Sequence, residues 1–385
     1  MALIPYGRQF VDDEDITAVV KTLKSDWLTT GPMVEKFEKS ICDYIGAKHA
    51  VAVNSGTSAL DIAVGALELP EGSEIITTPF TFAASANCII YNNHKPVFAD
   101  IESATCNIDP EKIRKKITKK TKAIIYVDYG GQPCDIETLR ELAEEKDLYL
   151  IEDASHALGA TYNGKKVGTF ADMTEFSFHP VKHITTGEGG AITTDNDGLA
   201  EKLRILRTHG IDKSDGAKKK FAGADYAYDM LMLGRNYRIT DMQCALGLSQ
   251  MKKLDLFLKR RREIVKQYND ELSSSIADLK IPSIIDGRES AWHLYTVLLP
   301  KDVSRDHVFR KMRESGIGVN VHYIPTYKFS YYQKNFNFKD NDYPVTEEVF
   351  SRILTLPLYY GMNDNDIDRV VDALKRSIDS VKECM

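Results

Sequence analysis

Hydrophobic and polar positions along the chain fall into two alternating patterns. Over residues 33–45, Val34, Phe37, Ile41 and Tyr44 recur at a spacing that gathers them on one side of a helix. Stretches at 16–24, 58–68, 81–92, 110–117, 135–146, 197–207 and 240–270 also predict helices. Between them lie short apolar runs: Ala50 to Val53, Glu74 to Thr77, Lys95 to Phe98, Ala123 to Val127, Tyr149 to Ile151, Glu175 to Phe178 and Gly190 to Thr193. Most of these runs do not alternate with polar residues, so they predict strands buried on both faces of a parallel or mixed sheet.

The pattern changes in the last third. Residues 291–299 and 317–322 predict strands, and 304–314 and 363–383 predict helices. The expected fold is α/β: a large three-layer αβα domain over residues 1–245, including the N-terminal segment, and a smaller α+β domain over 246–385 that opens with a long linking helix. The basic run Lys252, Lys253, Lys259, Arg260, Arg261 and Arg262 predicts a solvated helix face.

Charge and cysteine usage narrow the function classes. Fifty Lys and Arg oppose 56 Asp and Glu, for a net charge of -6, which gives no reason to expect a nucleic-acid partner. The longest apolar runs are far shorter than a membrane span, and the opening MALIPYGRQF lacks a basic segment followed by an apolar one. Six cysteines at 42, 88, 106, 134, 244 and 384 form no close pair, which argues against disulfides or a thiolate zinc site and favours a cytoplasmic reading. GxGxxG, GxxxxGK[ST] and HExxH are absent, and no metal is expected. The lysine-rich stretch at 213–220 and the last few residues are the expected places for disorder. Residues 213–228 read as a mobile active-site loop or as an ordinary surface insertion.

Three elements carry chemistry. Val53-Asn54-Ser55-Gly56-Thr57-Ser58-Ala59 runs from a strand into a helix, so its backbone N–H groups either cradle an anion or are capped in the ordinary way. Asp153 follows the apolar segment Tyr149-Leu150-Ile151, where ligands of open α/β sheets bind; it meets a cation or donor there, or serves as a helix cap or salt-bridge partner. His156 follows three positions later. Lys182 lies in Ser177-Phe178-His179-Pro180-Val181-Lys182, ahead of the turn Gly187-Glu188-Gly189-Gly190. An amine there can lose its proton and act as a Schiff-base nucleophile. An anion cradle, an acid beyond a strand end and such a lysine match the needs of pyridoxal 5′-phosphate. Phe82 is a candidate to flank the cofactor ring, or a core phenylalanine.

These stretches resemble the DegT/DnrJ/EryC1/StrS sugar aminotransferases, which have the fold-type I architecture. The resemblance spans essentially the whole chain. Glu152-Asp153-Ala154-Ser155-His156-Ala157, the segments around Lys182 and Gly187, Leu233-Gly234-Arg235-Asn236-Tyr237-Arg238, Trp292-His293-Leu294-Tyr295 and Val321-His322-Tyr323-Ile324-Pro325 carry it. It implies that Lys182 forms the internal aldimine, that Asp153 pairs with the pyridine nitrogen and that His156 packs on the ring. It further implies that Thr57, Ser58 and Ser177 hold the phosphate and that Phe82 flanks the ring. Asn236 would reach the neighbouring subunit's cofactor, which implies a homodimer. A family branch with histidine at the lysine position dehydrates or deoxygenates its substrate; Lys182 favours transamination.

Within the family, Ile4-Pro5-Tyr6-Gly7-Arg8-Gln9 and Asp26-Trp27-Leu28-Thr29-Thr30-Gly31-Pro32 look most like the branch leading to pseudaminic acid. The expected reaction moves an amino group from L-glutamate, through a pyridoxamine phosphate intermediate, to C4 of a UDP-linked 4-keto-6-deoxy-N-acetylhexosamine. UDP-4-keto-arabinose and dTDP-linked 4-keto or 3-keto sugars are alternatives, and a cofactor-binding regulator or scaffold is the non-enzyme reading. Arg238 and His322 are candidates to meet the substrate diphosphate, or else pack in the core or at the surface.

Overall fold

A computed structural model describes residues 3–273 and 275–382. Seven strands form the central sheet: β1 (His49–Val53), β2 (Glu74–Thr77), β3 (Lys95–Phe98), β4 (Thr121–Val127), β5 (Tyr149–Asp153), β6 (Met173–Ser177) and β7 (Gly190–Thr194). Their spatial order is β1-β7-β6-β5-β4-β2-β3. The pairings from β3 through β6 are parallel, and β7 runs against both its neighbours.

The strands are buried on both faces, as their near-continuous apolar sequences require. On one face Val51, Val53, Ile125, Ile151, Met173 and Ile192 pack with Leu60, Val64, Cys88, Leu199 and Leu203. Those partners come from helices Gly56–Ala66, Ala84–Tyr91 and Asp197–Arg207. On the other face, Ile124, Tyr126 and Leu150 meet Ile136, Leu139 and Leu142 of helix Ile136–Lys146. Further along that face, Ala52, Phe176 and Ala191 meet Phe37 and Ile41 of helix Pro32–Ile45. Each such buried aliphatic or phenyl side chain contributes about 1.5–3 kcal/mol relative to exposure. The result is the three-layer αβα arrangement.

A separate cluster holds Val297, Leu354, Leu356, Val370 and Leu374 around the antiparallel pair Tyr295–Leu298 and Ile353–Leu356. Ile4 belongs to it, because the N-terminal segment bonds to Gly316 and Gly318. Helix Leu254–Leu272 joins the two parts: Leu254, Phe257 and Leu258 face the first core, and Ile264, Val265, Tyr268 and Leu272 the second. The proposed division between 245 and 246 falls inside helix Asp241–Met251.

Several local expectations change. The helix expected over 240–270 is two helices, because the Lys253 N–H closes on Gln250 three residues back. No glycine or proline marks that break. The basic run is not wholly solvated: Arg261 is buried and its guanidinium donates to the carbonyls of Trp292 (3.0 Å), His293 (3.4 Å) and Leu358 (3.1 Å). Residues 317–322 form single bridges, Ile317 with Ile4 and Asn320 with Thr355, rather than a strand. The strand expected over 291–299 begins at Tyr295, because the left-handed backbone of Trp292 (φ 52) turns the chain first.

Residues 213–228 contain helix Asp215–Lys220 and lie between the paired strands Ile211–Asp212 and Asp229–Met230. The C-terminal helix runs Asp364–Lys382; residue 383, Cys384 and the chain end lie outside the described residues. Among the described residues no helix is long and apolar enough to cross a membrane.

Candidate active site

The strand ends converge on one edge of the sheet, where open α/β sheets bind ligands. There a cavity of about 670 Å³ is lined by the chain following β1, β2, β5 and β6 and by residues 293 and 320–324 of the C-terminal part. Of the sequence-predicted residues it brings together Thr57, Phe82, Asp153, His156, Ser177, Lys182 and His322.

The cradle forms where β1 enters helix Gly56–Ala66. Ser55 caps that helix by accepting from the Ser58 N–H at 3.1 Å. The first-turn N–H groups of Gly56 and Thr57 have no acceptor within the helix, as at any helix start. Ser55, Gly56 and Thr57 line the cavity beside Ser177. Close packing holds the turn: a Cβ on Gly190 would come within 2.7 Å of the Ser55 backbone. The Ser58 hydroxyl is turned inward, donating to Asn54 Oδ1 at 2.7 Å, and Ser58 does not line the cavity. Ser55 takes its place there.

Asp153 ends β5 and is buried. Its Oδ2 accepts from the Ser85 hydroxyl at 2.6 Å and its Oδ1 from the Ser155 N–H at 3.2 Å. Thr81 Oγ1 lies 2.8 Å from Ser85 Oγ, so Thr81, Ser85 and Asp153 form a polarised chain. No helix follows Asp153 for it to cap.

Lys182 is presented by the turn His179–Lys182, closed by its own N–H on the His179 carbonyl at 2.9 Å. Its Nζ lies 3.5 Å from His293 Nε2. Burial pushes the ammonium down to about 8, against the opposing attraction of Asp153. Lys182 is the one lysine or arginine among the described residues that line the cavity.

His156 sits between floor and rim. Gly130 donates its N–H to Nδ1 at 3.3 Å, so the ring proton is on Nε2, which donates to the Tyr323 hydroxyl at 2.9 Å. The His156 and Tyr323 rings are stacked, and His293 lies 4.4 Å from His156, centroid to centroid. Burial holds both imidazoles well below their ordinary range, hence neutral.

The substrate-side expectations fare differently. His322 lines the cavity, but burial pushes it down to about 3, so it offers a neutral ring and no positive charge to a diphosphate. Its Nδ1 lies 2.9 Å from Thr355 Oγ1. Arg238 and Asn236 do not line the cavity; the Arg238 guanidinium donates to Asn236 Oδ1 at 3.0 Å. Phe82 stands at the mouth, 62% exposed, its ring 6.3 Å from that of Tyr323.

Four residues here were given no role from sequence: His293, Tyr323, Ser85 and Glu175. His293 and Tyr323 stand in the stretches Trp292–Tyr295 and Val321–Pro325 that carry the family resemblance, which was the available signal. Ser85 and Glu175 had none, because only the parallel register and the path of helix Ala84–Tyr91 bring them to Asp153. Among the described residues no cluster of three or more His, Cys, Asp or Glu could hold a metal ion.

Comparison with known proteins agrees with this architecture. Residues 9–375 match the DegT/DnrJ/EryC1/StrS aminotransferase family. The UDP-4-amino-4,6-dideoxy-N-acetyl-beta-L-altrosamine transaminase of Campylobacter jejuni is 41% identical over 388 residues, covering 99% of each chain. The spore coat polysaccharide biosynthesis protein SpsC of Bacillus subtilis is 41% identical over 376 residues, covering 97% of this chain and 96% of its own. The PLP-form of a putative sugar aminotransferase, Spr1654 of Streptococcus pneumoniae, superposes with a TM-score of 0.91 at 30% identity, covering 98% of this chain and 99% of that one. With a buried lysine, an acid beyond a strand end and an anion cradle on one cavity, and with relatives matching from end to end, the chain belongs to the DegT/DnrJ/EryC1/StrS aminotransferase family.

Proposed function

We propose that this enzyme transfers an amino group from L-glutamate to C4 of a UDP-linked 4-keto-6-deoxy-N-acetylhexosamine, with pyridoxal 5′-phosphate as cofactor. The observation that carries the reading is the Lys182 amine, pushed down to about 8 and facing the same cavity as Asp153 and the Ser55–Thr57 cradle.

The residues present fit the cofactor. The N–H groups of Gly56 and Thr57 at the helix N-terminus, with Ser177 lining the same cavity, would hold its phosphate. The Asp153 carboxylate, already fixed by Ser85 and Ser155, would take the pyridine nitrogen. When bound, the cofactor supplies an aldehyde for amines and a ring that withdraws electrons. Everything else falls to the chain. Lys182 would hold the cofactor through its neutral amine and, once the donor's amine displaces it, would remove the donor's α-proton at Nζ and later return it. His156, held neutral and oriented by Gly130 and Tyr323, would pack beside the ring. His293 accepts from the Lys182 amine when that amine is free.

The substrate assignment is supported by the Campylobacter jejuni relative. The equally similar SpsC favours a second reading, a different keto sugar destined for a polysaccharide. Asn236 and Arg238 lie outside the cavity of their own chain, which suits a homodimer in which they serve the neighbour's site. Exposed Trp27 and Leu28, and Tyr226, Met230 and Leu233, supply apolar surface for such an interface.

The test is a product assay with L-glutamate and a panel of UDP- and dTDP-linked keto sugars, the amine position read by NMR. A C4 amine on the UDP-linked hexosamine is expected. Turnover confined to another sugar would replace this substrate with that one.

A further inference from the structure

A second acid lies beneath the site, unused by the chemistry above. Glu175 stands on β6 directly opposite Asp153 of β5 in the parallel register and is fully buried. Paired residues of neighbouring strands point to the same face, so both carboxyls lie on the side covered by helix Gly56–Ala66. Ser155 ties them together: its N–H donates to Asp153 Oδ1 at 3.2 Å and its hydroxyl to Glu175 Oε2 at 2.7 Å. Glu175 Oε1 has no hydrogen-bond donor against it. That oxygen lies under the cradle, so close that a Cβ on Gly56 would come within 2.4 Å of it.

An ionised glutamate is a poor fit to this place. No ion-pair partner of Glu175 is found among the described residues, and a buried carboxylate with an orphan oxygen is costly. The surroundings deepen the cost. Asp153 faces Glu175 across the strand pair through the shared Ser155, and burial first, then the Asp153 charge, push the Glu175 carboxyl up against the pull of Lys182. The helix above has no acidic or basic residue in its first or last turn, and the strand on the far side presents Ile192. Two carboxyls sharing a site do not both ionise readily, and a cofactor phosphate above them would add a third negative group.

We propose that Glu175 is held as a neutral carboxylic acid whose O–H bonds to Asp153, so that it is the positioning residue that aims the Asp153 carboxylate at the cofactor's pyridine nitrogen. The inference rests on the cofactor reading given above. The unpartnered Oε1 carries the proton, Oε2 keeps the Ser155 hydroxyl, and no second charge lies under the phosphate cradle. Burial and the Asp153 charge both favour the protonated form.

The test combines one readout independent of the cofactor with two that use it. Infrared difference spectra of the protein, wild type minus E175Q, are expected to show the carbonyl stretch of a buried protonated acid near neutral pH. No such band would overturn the proposal. With pyridoxal 5′-phosphate bound, E175Q keeps a neutral donor, so the pH midpoint of the cofactor's absorption and its dissociation constant should stay at the wild-type values. A midpoint lowered by about one pH unit would mean that an anion had been removed, and would also overturn it. E175M, of similar length but without a donor, should stay folded by circular dichroism and bind the cofactor about tenfold more weakly; undiminished binding by folded E175M would refute the positioning role. Failure of the wild-type protein to bind the cofactor would instead count against the cofactor reading, with the infrared band still deciding the charge of Glu175.

Discussion

The floor and the rim of the cavity are built on different physical terms. The floor, Asp153, Ser177 and Lys182 with Glu175 beneath them, comes from strand ends and the turns that leave them, and holds the charged groups Asp153 and Lys182. The rim, His293, His322 and Tyr323, arrives from the C-terminal part and is aromatic and uncharged, its two imidazoles held neutral by burial. The floor is therefore suited to electron and proton movement, and the rim to orientation, exclusion of water and substrate shape. With neutral imidazoles, this rim offers no positive charge to the diphosphate of the proposed substrate.

Substitutions should separate the two regions. The largest effect belongs to Lys182→Ala, which removes the proposed nucleophile, base and acid together. Single-turnover amine transfer should fall by at least about a thousandfold while the fold persists. Asp153→Asn should come next, at about a hundredfold in the proton-transfer step with cofactor still bound, since the amide keeps the shape but not the charge. A floor variant with near-normal turnover would break the comparison.

The lysine also sets a pH dependence. Its ammonium is pushed down from 10.5 to about 8, and the neutral amine is the reactive form, so attack on added pyridoxal phosphate should slow about tenfold per pH unit below 8 and level off above it. Stopped-flow absorbance measures this, and a plateau reached only above pH 10 would show an unperturbed lysine. The smallest effect is expected at the rim. Tyr323→Phe removes the partner of His156 Nε2 and should lower kcat about tenfold, with the pH midpoint of the cofactor's absorption unmoved. A shifted midpoint would mean that the rim shares the electrostatic role.

The same contrast explains what could be read from sequence. Strands buried on both faces are near-continuous apolar runs, so β2 and β3 were legible to the residue and the others to within about two residues. Asp153 and Lys182 stood out because a polar residue just past such a run lies at the ligand edge of the sheet. Helix 240–270 was misread because its break uses a backbone bond at Lys253 and no punctuating residue. Arg261 was read as solvated, since nothing local to 252–262 reveals that the Trp292, His293 and Leu358 carbonyls converge on it. The roles of Ser85 and Glu175 depend on which elements become neighbours, a property of tertiary packing. Ser58 was legible as part of the cradle, but its inward hydroxyl depends on Asn54 accepting it.

The role proposed for Lys182 depends on one covalent attachment. Borohydride reduction of the protein loaded with pyridoxal 5′-phosphate, followed by peptide mapping, tests it directly. The account predicts the cofactor's mass on the peptide containing Lys182, and label fixed on any other lysine would contradict it.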